Sequence, residues 1–103
     1  MNVKKVVFVD GELEDLFNRL EESNPIKKSL KRAIANIYEN PFCGRNVKKK
    51  LIPKKYDTDN LWIYNLPNAW RMIYSIAPEN KINIIAVILD WMSHKDYEKL
   101  FNF

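Results

Sequence analysis

The sequence predicts an α+β fold in which a four-stranded sheet packs on helices. Two stretches with a helical repeat of apolar residues fill most of the first 40 positions, and a short β-branched run precedes them. Three aromatic and β-branched runs in the second half predict a three-stranded antiparallel meander, and a short C-terminal helix follows it. With 103 residues, 47% hydrophobic and 29% charged, the chain has the composition of a folded domain. We therefore expect residues 1–103 to form a single domain.

The N-terminal part predicts one strand and a helical hairpin. Residues 3–9 are rich in valine and predict the strand, after which Asp10 is suited to cap a helix over residues 11–22. Asn24 and Pro25 suit the cap and first position of a second helix, which ends before Asn40. Apolar residues of the first helix recur at the spacing of one helical face: Leu13, Leu16, Phe17 and Leu20. Both helices need a partner for their apolar faces, and the predicted sheet supplies it.

The C-terminal part predicts the meander and the last helix. Residues 61–66 and 70–76 are separated by a short turn and predict a hairpin. Residues 82–89 are apolar at nearly every position, which is typical of an internal strand covered on both faces. Ser93 is suited to cap the final helix, whose apolar side contains Tyr97, Leu100 and Phe101.

Basic residues are concentrated between positions 27 and 55. This segment has ten lysines and arginines and one acid, a net charge of +9, whereas the whole chain has +4. Such density is typical of a surface that binds nucleic-acid phosphates. The alternative is a solvated face that only confers solubility. The candidate RNA contacts in this segment are Arg45, Lys48, Lys49, Lys50, Lys54 and Lys55.

Several classes of chemistry lack their sequence motif. The chain has no glycine-rich phosphate loop, no zinc-protease motif and no paired cysteine and histidine set, and it has one histidine and one cysteine. We therefore expect no metal and no cofactor. The longest apolar run is far shorter than a membrane span, and the N-terminus lacks the layout of a signal peptide. A lone cysteine suits a reducing compartment, so we expect a cytoplasmic protein without membrane contact.

The residues left to carry chemistry are an arginine within a strand and a polar group after the last strand. Alternation along residues 70–76 puts Arg71 on the face opposite Met72. If the helices cover the Met72 face, Arg71 points from an open face of the sheet, where a guanidinium can grip a phosphate with two donors. An ordinary solvent-facing arginine is the alternative. His94, Lys95 and Tyr97 form the polar group, and Lys95 is a further candidate RNA contact.

The strand sequence WRMIYSI, residues 70–76, resembles the strand motif of RelE/ParE-superfamily toxins. The order of elements, the sequence KKL at residues 49–51 and the His/Lys/Tyr stretch at residues 93–97 match that superfamily too. The resemblance covers essentially the whole chain. It implies a toxin of a type II toxin–antitoxin system that is neutralised by a cognate antitoxin, and possible contact with operator DNA through that antitoxin.

For RelE-like members the resemblance implies cleavage of messenger RNA on the ribosome, without a metal, by attack of a ribose 2′-hydroxyl on the adjacent phosphate. Such a reaction needs a base, an acid and cations for the developing charge. The resemblance gives Arg71 the role of stabilising the phosphorane and Tyr97 that of orienting or donating a proton. His94 is the natural acid or base. Alternatively, His94 only bonds to backbone at a helix start.

The chain departs from RelE-like toxins in the strand before the arginine strand. Those toxins present two lysines to the RNA there, whereas the corresponding residues here are Trp62 and Tyr64. Either His94 with Lys50, Lys54 or Lys55 replaces the lysines, or the aromatic pair stacks on bases. Packing across strands is the structural alternative for the pair.

Two other functions stay open. One is a ParE-like inhibitor of DNA gyrase, which binds without hydrolysing anything. Members of that branch usually lack the catalytic residues, so His94 and Tyr97 favour the nuclease, whereas the missing strand lysines favour the inhibitor. The other is a non-catalytic homologue that only binds an antitoxin or RNA.

Overall fold

The computed structural model describes residues 5–102, and this part of the chain forms three α-helices and one five-stranded mixed sheet. The elements are β1 (Lys5–Phe8), α1 (Gly11–Arg19), α2 (Pro25–Glu39), β2 (Arg45–Asn46), β3 (Trp62–Asn65), β4 (Arg71–Pro78), β5 (Ile84–Met92) and α3 (His94–Phe101). Short 3₁₀ turns lie at Lys49–Leu51 and Pro67–Ala69.

The strand order in the sheet is β1-β5-β4-β3-β2. β1 runs parallel to β5, and the other neighbours are antiparallel. The predicted α+β class is confirmed, and β5 is internal as expected. The sheet has one strand more than the four predicted, because β2 in the lysine-rich segment pairs with β3. Val3 and Lys4 of the predicted first strand lie outside the described residues.

The two N-terminal helices begin at the predicted caps. The Asp10 side chain accepts a hydrogen bond of 2.8 Å from the Leu13 amide. The Asn24 side chain accepts one of 2.8 Å from the Ile26 amide, and Pro25 occupies the first helical position. Each such cap is worth about 1 kcal/mol. α1 ends at Arg19, three residues before its predicted end. No helix within residues 5–102 has both the length and the apolar character that crossing a bilayer requires.

The first hydrophobic core lies between the helices and one face of the sheet. α2 supplies its most buried helical residues, Leu30, Ala33 and Ile37, none of which is more than 1% exposed. The sheet supplies Met72, Tyr74, Ala86 and Ile88. α1 contributes only partly buried residues, and Leu16 is 48% exposed although the helical spacing predicted it to face inward.

A second core covers the other face of the sheet. Ile63 and Ile73 point to this face and pack against side chains of the segment 47–61 and of α3. Their partners from those two elements are Val47, Tyr56, Leu61 and Tyr97. The prediction that Arg71 lies on an open face is therefore wrong. Ile63 of β3 and Ile73 of β4 share this face with Arg71. These apolar side chains must be shielded from water, and the segment 47–61 and α3 shield them.

A buried lysine holds the helical hairpin together. Lys27 is 5% exposed, and its ammonium donates to the Leu20 carbonyl at 2.9 Å and to the Glu22 carboxylate at 2.8 Å. The same ammonium lies 5.2 Å from the centroid of the Phe17 ring. Lys31 forms a second ion pair with Glu22. The turn between α1 and α2 is thus fixed by hydrogen-bonded charges.

This arrangement predicts a pH-dependent contribution from Glu22. Hydrogen bonds from Lys27 and Lys31 lower the pKa of Glu22 from 4.5 to about 2. A carboxylate whose pKa is depressed by folding stabilises the protein above its unfolded pKa, and this stabilisation is lost as the pH falls. We expect wild type to melt above Glu22→Gln at pH 7, with the gap closing between pH 4.5 and 2. Circular dichroism melts at each pH measure this, and Glu21→Gln is the control. A gap that stays constant with pH would contradict the assignment.

Candidate functional site

The candidate site is built on the start of α3. The Ser93 hydroxyl accepts a 3.4 Å hydrogen bond from the Asp96 amide and caps the helix as predicted. Because the helix starts here, Tyr97 points into the second core and is only 4% exposed. The Tyr97 hydroxyl accepts a 2.8 Å hydrogen bond from Nη2 of Arg45, which belongs to the edge strand β2. One tyrosine therefore joins the last helix to the sheet edge.

Arg71 lies on the same Tyr97 ring. Its Cζ is 4.9 Å from the ring centroid, and its Nη1 donates to the Trp70 carbonyl at 3.2 Å. The Nε atom is buried and has no hydrogen-bond partner among the described residues. A buried donor without an acceptor costs about 1–3 kcal/mol. The residue as a whole is only partly buried, so a phosphate oxygen can approach it from the solvent side.

His94 is the third basic residue at this ring. Its imidazole centroid is 6.5 Å from that of Tyr97, and its side chain is half exposed. Nε2 of His94 lies 3.4 Å from a carboxylate oxygen of Glu98, one helical turn later. Lys95 is exposed beside it. The imidazole is thus accessible to solvent and has a carboxylate that can orient it.

The structure brings together the three residues that the sequence assigned to catalysis, Arg71, His94 and Tyr97. We call Arg45, Arg71 and His94, which all contact Tyr97, the cationic cluster. Arg45 was predicted only as one of many RNA contacts, and its place beside Tyr97 is set by a pairing of residues 52 positions apart. Two guanidinium groups and an imidazole around one phenol form a site that can bind a phosphate.

The other candidate RNA contacts are spread over the segment 47–61. All five lysines of this segment are exposed: Lys48, Lys49, Lys50, Lys54 and Lys55. Lys55 also lies 3.8 Å from the Asp90 carboxylate and 5.3 Å from the Tyr56 ring centroid. The buried Tyr56 donates to Asp90 at 3.1 Å and links this segment to β5.

Trp62 and Tyr64 lie on the face of β3 that packs against the helices. The Trp62 ring stacks on Tyr74 at 6.3 Å and meets the edge of Phe42 at 5.4 Å. The Tyr64 hydroxyl accepts a 2.6 Å hydrogen bond from the Asn36 amide group. Trp62 and Tyr64 thus lie on the opposite side of the sheet from the cationic cluster. They pack against neighbouring side chains, as the structural alternative predicted, and they do not lie beside the candidate RNA-binding residues.

Within residues 5–102, no three side chains of histidine, cysteine, aspartate or glutamate are grouped as metal ligands would be. The cationic cluster brings positive charge and one imidazole rather than a set of acidic oxygens. Such a set of groups can bind an anion and transfer a proton.

A family model described as the ParE toxin of the type II toxin–antitoxin system parDE matches residues 9–90. The chain belongs to this family. It is a toxin of a type II toxin–antitoxin system, as the resemblance to the RelE/ParE superfamily implied, and the family implies a cognate antitoxin as its partner. No curated protein and no solved structure matches the chain. The matched region of the toxin includes Arg45 and Arg71 and ends before α3, which carries His94 and Tyr97.

Proposed function

We propose that this toxin cleaves messenger RNA on the ribosome, at the cationic cluster and without a metal. The observation that carries the proposal is the convergence of Arg45, Arg71 and His94 on the Tyr97 ring. These residues come from β2, β4 and α3, so the fold collects them from three elements. The ribosome as the place of cleavage rests on the resemblance to RelE-like toxins.

In this reaction the ribose 2′-oxygen attacks the adjacent phosphorus and the bond from phosphorus to the 5′-oxygen breaks. The products are a 2′,3′-cyclic phosphate and a 5′-hydroxyl end. Negative charge builds on the phosphate oxygens in the transition state, and guanidinium donors stabilise it. Arg71 supports this role because its Cζ lies 4.9 Å from the Tyr97 ring centroid and the residue is only partly buried. Arg45 adds a second guanidinium at the same ring.

His94 transfers the proton. Imidazole is the side chain that ordinarily gains and loses a proton near neutral pH. The attacking 2′-hydroxyl loses its proton to a solvent water, protonated His94 donates a proton to the leaving 5′-oxygen, and the imidazole then regains a proton from solvent. Glu98, 3.4 Å from Nε2, orients the ring. Tyr97 is only 4% exposed and acts as a positioning residue that holds the two arginines.

Electrostatics supports an RNA substrate. The exposed lysines of the segment 47–61 continue the positive surface from Arg45, which lines the same connection. Each phosphate that they neutralise releases condensed counterions. We therefore expect binding to single-stranded RNA to weaken strongly as salt rises.

A second candidate is inhibition of DNA gyrase by binding alone. Two observations favour it: the family model is that of a ParE toxin and ends before α3, and β3 has Trp62 and Tyr64 where RelE-like toxins have lysines. A toxin that inhibits only by binding needs no proton donor such as His94. A homologue that binds only an antitoxin or RNA would be harmless when produced alone.

Mapping of RNA ends after induction tests the proposal. Expressed without antitoxin, wild type should leave cyclic-phosphate ends in translated messages. Arg71→Ala should lower the cleavage rate about 10²–10³-fold, as loss of a transition-state donor does. His94→Ala should lower it about 10²-fold or more. Lys81→Ala, an exposed lysine in the turn between β4 and β5, is the control and should cut like wild type.

Each alternative has its own result in this experiment. If growth stops while messages stay intact, and purified toxin blocks gyrase supercoiling, the binding inhibitor replaces the nuclease. If growth continues and messages stay intact, the chain is a non-catalytic homologue.

A further inference from the structure

An apolar cavity of about 270 Å³ adjoins the cationic cluster. It lies between β2, β3, the 3₁₀ turn at Lys49–Leu51 and the end of α3. Its wall is apolar and two cations stand at it: Val47, Leu51, Ile63 and Phe101, with Arg45 and Lys48. Tyr97 closes the side toward the cluster.

Two features distinguish this cavity as a contact surface. Leu51 is 57% exposed, which leaves a large apolar side chain in water at its edge. Among residues 5–102, the charged side chains that line the cavity are two cations, and no carboxylate does. Such a surface is complementary to an apolar group that is flanked by negative charges.

We infer that this cavity receives an apolar side chain from an acidic segment of the cognate antitoxin. The cavity has room for a large apolar side chain such as leucine or phenylalanine, and burial of such a group in an apolar pocket is the usual anchor of a protein interface. Acidic residues on either side of the anchor pair with Arg45 and Lys48. The inference rests on family membership and does not depend on RNA cleavage.

A nucleobase fits the cavity less well. Its polar edges would lose water and need new partners. Two polar groups at the wall are already engaged: the Tyr97 hydroxyl accepts from Arg45 at 2.8 Å, and the Asn46 amide group donates to the Leu61 carbonyl at 3.4 Å. Arg45 and Lys48 at the same wall are cationic donors, which suit a carboxylate better than the mixed donor and acceptor edge of a base. An aliphatic or aromatic side chain has no such requirement.

Occupation of the cavity would also neutralise the toxin. Arg45 stands both at the cavity and in the cationic cluster. An acidic segment paired with Arg45 would therefore withdraw one of the two guanidinium groups from a substrate phosphate. Anchoring and inhibition are thus served by the same contact.

The test measures antitoxin affinity. The antitoxin is co-expressed with the toxin, separated from it in denaturant, refolded and titrated into purified toxin. We expect Leu51→Glu to weaken binding at least tenfold, because the new carboxylate removes apolar surface and repels the acidic segment. Ile82→Glu is the matched control, since Ile82 is 82% exposed in a distant turn, and it should bind within twofold of wild type. Circular dichroism of both variants checks that they are folded.

A photo-crosslinking amino acid at position 51 tests the chemistry of the occupant. We expect crosslinks to an apolar antitoxin residue with aspartate or glutamate beside it. The inference is overturned if Leu51→Glu binds antitoxin as tightly as wild type, or if the crosslink falls in a basic segment. It is also overturned if Leu51→Glu weakens the binding of a short single-stranded RNA and leaves the binding of the antitoxin unchanged. Intact messages in the end-mapping experiment would remove the nuclease proposal and leave this measurement unaffected.

Discussion

Replacement of Tyr97 by alanine should lower the free energy of unfolding by about 3–5 kcal/mol and abolish RNA cleavage. Tyr97 is 4% exposed in the second core, so its removal leaves a cavity there. The same ring supports Arg71 at 4.9 Å, and its hydroxyl holds Arg45. Both arginines lose their common support in this variant. Urea unfolding and the rate of RNA cleavage measure the two effects.

Tyr97→Phe separates support from proton transfer. The phenylalanine ring fills the same space and keeps the contact with Arg71, while the hydrogen bond from Arg45 is lost at a cost of about 1 kcal/mol. We expect less than a tenfold loss of cleavage. A loss of a hundredfold or more in a folded Tyr97→Phe protein would instead make the phenol a reacting group. Tyr56→Ala, a buried tyrosine of the same core outside the cationic cluster, should lose comparable stability and retain cleavage when folded.

Gly44→Ala should destabilise the protein by about 3 kcal/mol, the upper range for overpacking. A Cβ at Gly44 would lie 2.7 Å from the Tyr74 hydroxyl and 2.9 Å from the Ile63 carbonyl oxygen. Tyr74 is fully buried and is held by a 2.8 Å bond to the Pro41 carbonyl, so neither neighbour can move away cheaply. Movement of the backbone would shift β2, and Arg45 is the next residue.

Thermal and urea unfolding measure this effect, and Gly11→Ala is its matched control. A Cβ at Gly11 meets nothing within 4 Å, so this variant should be as stable as wild type. Tyr74→Phe removes the nearer of the two contacts. The double variant Gly44→Ala/Tyr74→Phe should therefore lose less stability than the sum of the single variants. Strict additivity would show that the Tyr74 hydroxyl is not the obstacle.

The helix starts and the three strands of the meander, β3, β4 and β5, were predictable because their signals are local. Asp10, Asn24 and Ser93 each precede an apolar helical repeat, and each caps its helix in the structure. β2 was missed because two polar residues carry no alternation. It exists because β3 offers an edge, and the Val47 amide bonds to the Leu61 carbonyl at 2.9 Å just beyond it.

The candidate site was predictable only in part. Alternation along β4 gave the correct face for Arg71, since that needs no knowledge of other elements. The sequence could not predict that the segment 47–61 covers this face, because its apolar residues are scattered and follow neither a helical nor a strand repeat. Burial of Tyr97 had a signal in its spacing to Leu100 and Phe101, which lie on the same side of α3. The place of Arg45 had no local signal at all.

The contact of Arg45 and Arg71 with a tyrosine of α3 has a consequence for the order of events during synthesis. A nascent chain that extends only as far as β5 contains every strand of the sheet. It lacks Tyr97, so neither arginine has the ring that supports it. On the proposed mechanism, the toxin therefore gains cleavage activity only after α3 has left the ribosome and docked on the sheet. An antitoxin already present at that moment would meet the protein before its first turnover.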